Sequence, residues 1–194
     1  MSPRSKDQLD QIREQSTRKI MQSALRLFGA NGYESTSMSQ VVKDAGISKG
    51  LIYNYFDSKE SLIKALILDF NKEEAEMMQQ VQHDDPHIML KNIILKFFSE
   101  LKDNYEQYRL ISSLGLQINK FGFIHEMCVE KVNVFFSLFE SLLADTGFDH
   151  PKQEAKLFAA ILDGIGFQYI MLNQEYPVEE MKSYLINRYC KKRS

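Results

Sequence analysis

Between Thr36 and Lys59 the chain reads TSMSQVVKDAGISKGLIYNYFDSK, rich in hydroxyl, amide and ammonium groups, with no carboxylate between Gly46 and Phe56. Such side chains donate hydrogen bonds to phosphate oxygens and to base edges. Setting residues 49–56 on a helix at 100° per residue brings Ile52 and Phe56 together on an inward face. Gly50, Leu51 and Asn54 then point outward, and Tyr53 and Tyr55 flank them. Gly50 lets backbone come close to a polyanion. Asn54 and the two phenols can donate to phosphate or bases, and Lys49 and Lys59 supply positive charge. Tyr53 reads as a contact. Tyr55 can serve either as a contact or as a half-buried packing ring.

Other chemistries find no residues to carry them. There is no nucleophile elbow, P-loop, dinucleotide fingerprint or paired histidine–carboxylate motif. Cys128 and Cys190 are far apart and lack ligand spacing, which leaves two idle thiols. His83 and His87 stand four apart, but Asp84, Asp85 and Pro86 between them indicate a loop. His125 and His150 add no metal pattern. The expectation is a protein that is not an enzyme, with no metal and no cofactor. A helical enzyme or an adaptor with a vestigial DNA-binding element is the alternative from another class.

The elements that must position the polar segment are helices. Only four prolines and nine glycines interrupt 194 residues. Ile20, Ala24, Leu27 and Phe28 form one helical stripe, closed by Gly29 to Gly32. Met38, Val41, Val42 and Ala45 form a shorter one, with Thr36 and Ser37 as N-cap candidates and Gly46 as its stop. Gly46 suits a turn that needs positive φ. Ile47 plugs the angle, Ser48 can cap a recognition helix, and Asp57 or Ser58 opens a longer helix from Lys59 to about Gln82. Two short helices joined through a glycine bend are a helix-turn-helix signature. Further helices are predicted over 87–103, 105–118, 122–144, 152–174 and 178–192. The fold class is all-α, with a three-helix N-terminal domain and a C-terminal helical bundle. The predicted division is a polar arm over 1–13, a DNA-binding domain over 14–74 (helix-turn-helix about 37–56), and a second domain over 75–194.

Charge follows the same division. Residues 1–64 carry ten Lys and Arg against seven Asp and Glu, and residues 65–194 carry fourteen against nineteen. A basic head on an acidic body fits a protein whose head alone meets phosphate. No apolar run approaches the roughly 20 residues of a membrane span, and the polar start MSPRSKDQLDQIREQ lacks a secretory pattern. A cytoplasmic protein is expected.

The run from Thr17 to Leu66 resembles the DNA-binding domain of the tetracycline-repressor (TetR) family. The resemblance rests on Leu27-Phe28 with Gly32, Thr36-Ser37, Ala45-Gly46-Ile47-Ser48, Tyr53, Tyr55-Phe56 and Ser58-Lys59. It implies that Ser37 and Ser39 meet the DNA backbone beside Ser48. It further implies that Lys49, Gly50, Leu51, Tyr53, Asn54 and Tyr55 lie against the major groove, and that Lys59 clamps a phosphate. Two residues depart from the family pattern. Leu51 stands where a small hydroxyl residue is common, and Asn54 replaces a frequent histidine or aromatic.

Residues 75–194 resemble the family only in architecture. The last two helices of such proteins form a four-helix dimer bundle. Leu157, Ala160, Ile161, Gly164, Ile165 and Gln168, with Met181, Leu185 and Tyr189, are the matching candidates here; small residues including Gly166 would permit close approach. An intramolecular core is the other use of these residues. Phe97, Phe98, Tyr105, Tyr108, Phe121, Met127, Phe135 and Phe139 form a ring- and sulfur-rich neighbourhood suited to an apolar pocket. The expected function is a homodimeric regulator of transcription. In the leading form it represses from a palindromic operator on double-stranded DNA and is released by a small, largely apolar effector. An activator or an effector-independent regulator is the alternative.

Overall fold

A computed structural model describes residues 6–115 and 122–192. Their α-helices are α1 Lys6–Asn31, α2 Met38–Ala45, α3 Lys49–Ile52, α4 Lys59–Val81, α5 Pro86–Asp103, α6 Tyr105–Gly115, α7 Gly122–Asp145, α8 Pro151–Leu172 and α9 Val178–Tyr189. A 3-10 turn over Asn173–Glu175 follows α8. Among the described residues no strand occurs. The chain divides into two compact units, Met1–Glu74 and Ala75–Ser194, and α4 runs through the division as one helix.

The first unit is organised by the α1 stripe. Ile20, Ala24 and Phe28 are fully buried, and Val41 of α2, Ile52 of α3 and Leu62 and Ile63 of α4 join the same inventory of excluded side chains. Hydrophobic periodicity of 3.6 residues dictates this, because a surface helix must bury its apolar stripe. Gly32, at φ 82°, ends α1 in the left-handed region, and its N–H donates to the Phe28 carbonyl at 2.9 Å. The polar segment expected as an arm is helical from Lys6 onward, as a continuation of α1.

In the second unit, α5, α7, α8 and α9 enclose a core that includes Leu90, Phe98, Leu101, Phe139, Leu143, Phe158, Leu185 and Tyr189. Its entry is set by a cap. The Asp85 carboxylate accepts from the His87 N–H at 2.8 Å, with Pro86 in the first turn of α5. His83 Nδ1 accepts from the Asp85 N–H at 2.9 Å, so the histidine pair flanks a capping turn. No group of three or more His, Cys, Asp or Glu residues stands together as a metal site among the described residues.

Helix α8 is apolar on two faces. Ala155, Phe158, Leu162, Ile165 and Tyr169 are buried, while Leu157, Phe167 and Met171 remain 46%, 48% and 68% exposed. Consequently Pro151–Glu175 is long and apolar enough, by length and composition alone, to cross a membrane, which corrects the expectation that no segment would be. Its inner face completes the core of a helical unit, and such core helices pass the same test.

Candidate nucleic-acid interface

The helix-turn-helix is held by local fixings that the sequence encodes directly. Ser37 is the N-cap of α2 at φ −100° and ψ 155°. Its hydroxyl oxygen accepts from the Gln40 N–H at 3.3 Å, and its own N–H donates to Gln40 Oε1 at 2.7 Å. This reciprocal capping box satisfies two orphan donors of the first turn. At the other end Gly46 takes φ 65° and ψ 32°, as its glycine identity predicts. The Ile47 N–H donates back to the Val42 carbonyl at 3.2 Å and the Gly46 N–H to Lys43 at 3.4 Å, a Schellman closure. Arg26 of α1 forms an ion pair with Asp44 of α2.

Thr36, read from the sequence as a cap candidate, does something else. It is buried, its hydroxyl donates to the Gly32 carbonyl at 2.9 Å, and the Leu27 carbonyl oxygen lies 3.2 Å away. The hydroxyl ties the entry to α2 onto the last turn of α1. Lys59 also departs from expectation. Its ammonium donates to the Tyr33 carbonyl at 2.9 Å and the Glu34 carbonyl at 3.4 Å, and it lies 4.2 Å from the Tyr33 ring centroid. Two carbonyls and a ring hold the charge that the resemblance assigns to a phosphate. Burial, then the carboxylates of Glu60 and Glu34, push the Tyr33 phenol above its ordinary value.

The recognition segment is shorter than the helix predicted over 49–56. Only Lys49–Ile52 is α-helical, and Ser48 occupies the N-cap position without a side-chain bond to the helix. The Asn54 N–H then donates to the Leu51 carbonyl at 3.1 Å and the Tyr55 N–H to Ile52 at 3.0 Å, tighter three-residue turns. Ile52 and Phe56 are buried, as their spacing predicts. Ser37, Ser39, Ser48, Lys49, Gly50 and Asn54 are exposed, Tyr53 is 46% exposed, and Leu51 and Tyr55 are half-buried. Donors thus cover one face. Ser58 and Ser61 cap each other at the start of α4, with the Ser61 N–H donating to Ser58 Oγ at 3.0 Å.

In the second unit the sequence candidates separate into two groups. On the proposed dimer stripe, Leu157, Ala160 and Gln168 are exposed and Ile161, Gly164 and Met181 are partly so. Ile165, Leu185 and Tyr189 are buried within their own chain, which corrects their assignment to a dimer surface. A 3.6-residue repeat places Ile165 one residue around from Gly164 and hence inward. Gly166 is also inward, its absent Cβ 3.7 Å from Leu101.

Among the ring candidates, Phe98 and Phe139 are core residues, whereas Phe97, Tyr105, Tyr108 and Phe135 are half-buried against that core. Met127 is half-buried, and Phe121 lies outside the described residues. The rings pack on one another: Phe97 on Phe98 at 5.3 Å, Phe97 on Tyr108 at 6.4 Å, Phe135 on Phe139 at 5.8 Å between centroids. Two open grooves of about 390 and 580 Å³ have other linings, Gln80 to Ser99 residues of α4 and α5 in one and Tyr169, Asn173 and Tyr176 in the other.

This first unit, with capped α2, glycine bend and donor-covered α3, is of the helix-turn-helix DNA-binding class. Residues 20–66 match the model of the bacterial regulatory proteins of the tetR family. Over 168 residues the chain is 29% identical to the HTH-type transcriptional regulator YxaF of Bacillus subtilis, covering 83% of this chain and 86% of that protein. The fold matches a TetR transcription regulator from Haloarcula marismortui with TM-score 0.77 at 15% identity, covering 91% of this chain and 97% of that one. It also matches the regulator FadR of Bacillus subtilis, solved with stearoyl-CoA, with TM-score 0.72 at 19% identity over 91% and 99% of the two chains. Residues 20–66 thus match the tetR-family DNA-binding domain, and over most of its length the chain is similar to HTH-type transcription regulators.

Proposed function

We propose that this regulator is a homodimeric repressor that leaves a palindromic operator when a small, largely apolar effector binds. The observation that carries the DNA side is the exposed face of Lys49, Gly50, Tyr53 and Asn54, free of carboxylates and fixed from beneath by buried Ile52 and Phe56. On this reading Lys49 takes a phosphate, and Ser37, Ser39 and Ser48 border the backbone. Leu51, Tyr53 and Asn54 meet bases, with half-buried Tyr55 at their edge. The protein acts in the cytoplasm, where its operator is.

Dimerisation follows from α8. Leu157, Ala160, Ile161, Gly164 and Gln168 share an outward stripe, to which Met181 of α9 adds. A two-fold assembly would present two recognition segments to half-sites one helical turn apart, roughly 34–36 Å. The effector site is proposed among the half-buried rings Phe97, Tyr105, Tyr108 and Phe135 with Met127. A likeness in fold to a protein solved with an acyl-CoA supports an apolar ligand. Because α4 continues from one unit into the other, its displacement would carry the ligand's influence to the head.

The close packing of these rings on one another favours a second reading, a regulator without an effector. The experiment compares operator affinity with and without a saturating ligand found by thermal-shift screening. Reciprocal coupling of about 1–3 kcal/mol, or about 5–150-fold, is expected of a repressor with an inducer. Equal affinities across ligands that bind would support the second reading.

A further inference from the structure

Arg13 interrupts the apolar stripe of α1. Upstream of the fully buried Phe28, Ala24 and Ile20, the stripe passes through half-buried Thr17 and arrives at exposed Arg13. Helix α1 therefore extends past the core with its inner edge changed from methyl groups to a guanidinium. That guanidinium lies over the ring of Tyr55, 5.9 Å from its centroid. Tyr55 flanks the outward face of the recognition segment. The other arginines of α1 have carboxylate partners: Arg18 bonds Glu14 at 2.9 Å, and Arg26 pairs with Asp44. Glu14, the carboxylate beside Arg13 in the chain, is thus engaged by Arg18. Among the described residues no carboxylate is paired with Arg13.

We propose that Arg13 is a further DNA-contacting residue, a phosphate ligand that α1 supplies beside the recognition segment and that Tyr55 holds in place. This rests on the DNA-binding reading of the segment itself. A cation over a ring is attracted by the π face and leaves the guanidinium's N–H donors unspent. A phosphate oxygen pair accepts two of those donors side by side. Tyr55 then has a single assignment: its half-buried ring orients Arg13, and the phosphate contact is made by the arginine.

The test is fluorescence anisotropy with a labelled 30-base-pair duplex of random sequence, because a phosphate contact is independent of sequence. Binding is measured over a potassium chloride series for the wild type, Arg13→Ala, Arg13→Lys, Tyr55→Leu, the double variant and the control Lys152→Ala. Circular dichroism melts verify that each is folded. Arg13→Ala should flatten the slope of log affinity against log salt by about 1 per subunit. Arg13→Lys should retain the slope, and Lys152→Ala should match the wild type. Tyr55→Leu should weaken binding in the wild-type background and add nothing once Arg13 is gone. A wild-type slope persisting in folded Arg13→Ala would overturn the proposal. A wild type that fails to bind the duplex would remove the DNA-binding reading, and Arg13's role with it.

Discussion

One substitution should act with opposite sign at two glycines only four residues apart. Gly46 sits at φ 65°, and a Cβ built there meets nothing within 4 Å, so the cost of Gly46→Ala is confined to its own backbone. The left-handed region costs an L-residue roughly 1–2 kcal/mol. Gly50 lies inside α3, has no positive φ, and also has open space where a Cβ would stand. Alanine there gains about 0.5–1 kcal/mol from the smaller entropy of the unfolded chain. The two variants should differ by about 2 kcal/mol. For a unit ending at Glu74, each kcal/mol moves a melting midpoint by about 4–8 °C. Thermal unfolding followed by circular dichroism measures the difference. The same methyl at Gly50 would project on the face proposed to approach DNA, so Gly50→Ala should be more stable and yet bind duplex DNA several-fold more weakly. A stabilised Gly50→Ala with unchanged affinity would refute close approach at α3. A Gly46→Ala variant as stable as the wild type would refute the left-handed turn.

Lys59→Met should lower stability by about 2 kcal/mol, since two carbonyls lose a charged donor, while the salt slope of DNA binding stays close to the wild type. Thr36→Val, which removes the buried hydroxyl that ties α2 to α1, should cost about 1 kcal/mol in urea unfolding. Gly164→Arg should split a dimer into monomers in sedimentation, whereas Leu185→Ala should destabilise the fold by about 2–5 kcal/mol because Leu185 belongs to the chain's own core. Burial raises the Cys190 thiol to about 11, so its thiol form predominates in the folded chain well above neutral pH. Its alkylation should be slow at pH 8 in native protein and speed up on unfolding. Because the unfolded thiol ionises near 9 while the folded one holds its proton to about 11, this group leaves stability at its full value below about 9 and lowers it as pH rises from there towards 11.

What the sequence disclosed, it disclosed through local physics. Helix periodicity and glycine punctuation placed the helices from α4 onward to within a few residues, because α-helices are specified by neighbours three and four positions apart, whereas the polar first turns of α1 from Lys6 carry no apolar stripe and were expected as an arm. Ser37 as a cap candidate, and Gly46 with its positive φ, were legible for the same reason, while the Gln40 side of the capping box emerged only in the structure. The residues that escaped are those whose partners lie far along the chain. Thr36 bonds back nine residues to Leu27, and Lys59 reaches 26 residues to Tyr33. No spacing rule signals such contacts. The stripe of α8 misled because that helix is apolar on both sides, so periodicity alone could not tell Gly164, facing out, from Ile165, facing the core. Ser48 held the expected cap position but not the expected bond.

The central claim, sequence-specific recognition by the segment from Thr36 to Phe56, is tested most directly by selecting duplexes from a random pool on the purified protein and on Tyr53→Ala/Asn54→Ala. The wild type should enrich a two-fold symmetric site with half-sites separated by about one helical turn or a multiple of it. The double variant, folded because both residues are exposed, should retain weak salt-dependent binding and lose that preference. Failure of the wild type to enrich any sequence, or enrichment of the same site with equal strength by the variant, would contradict the account.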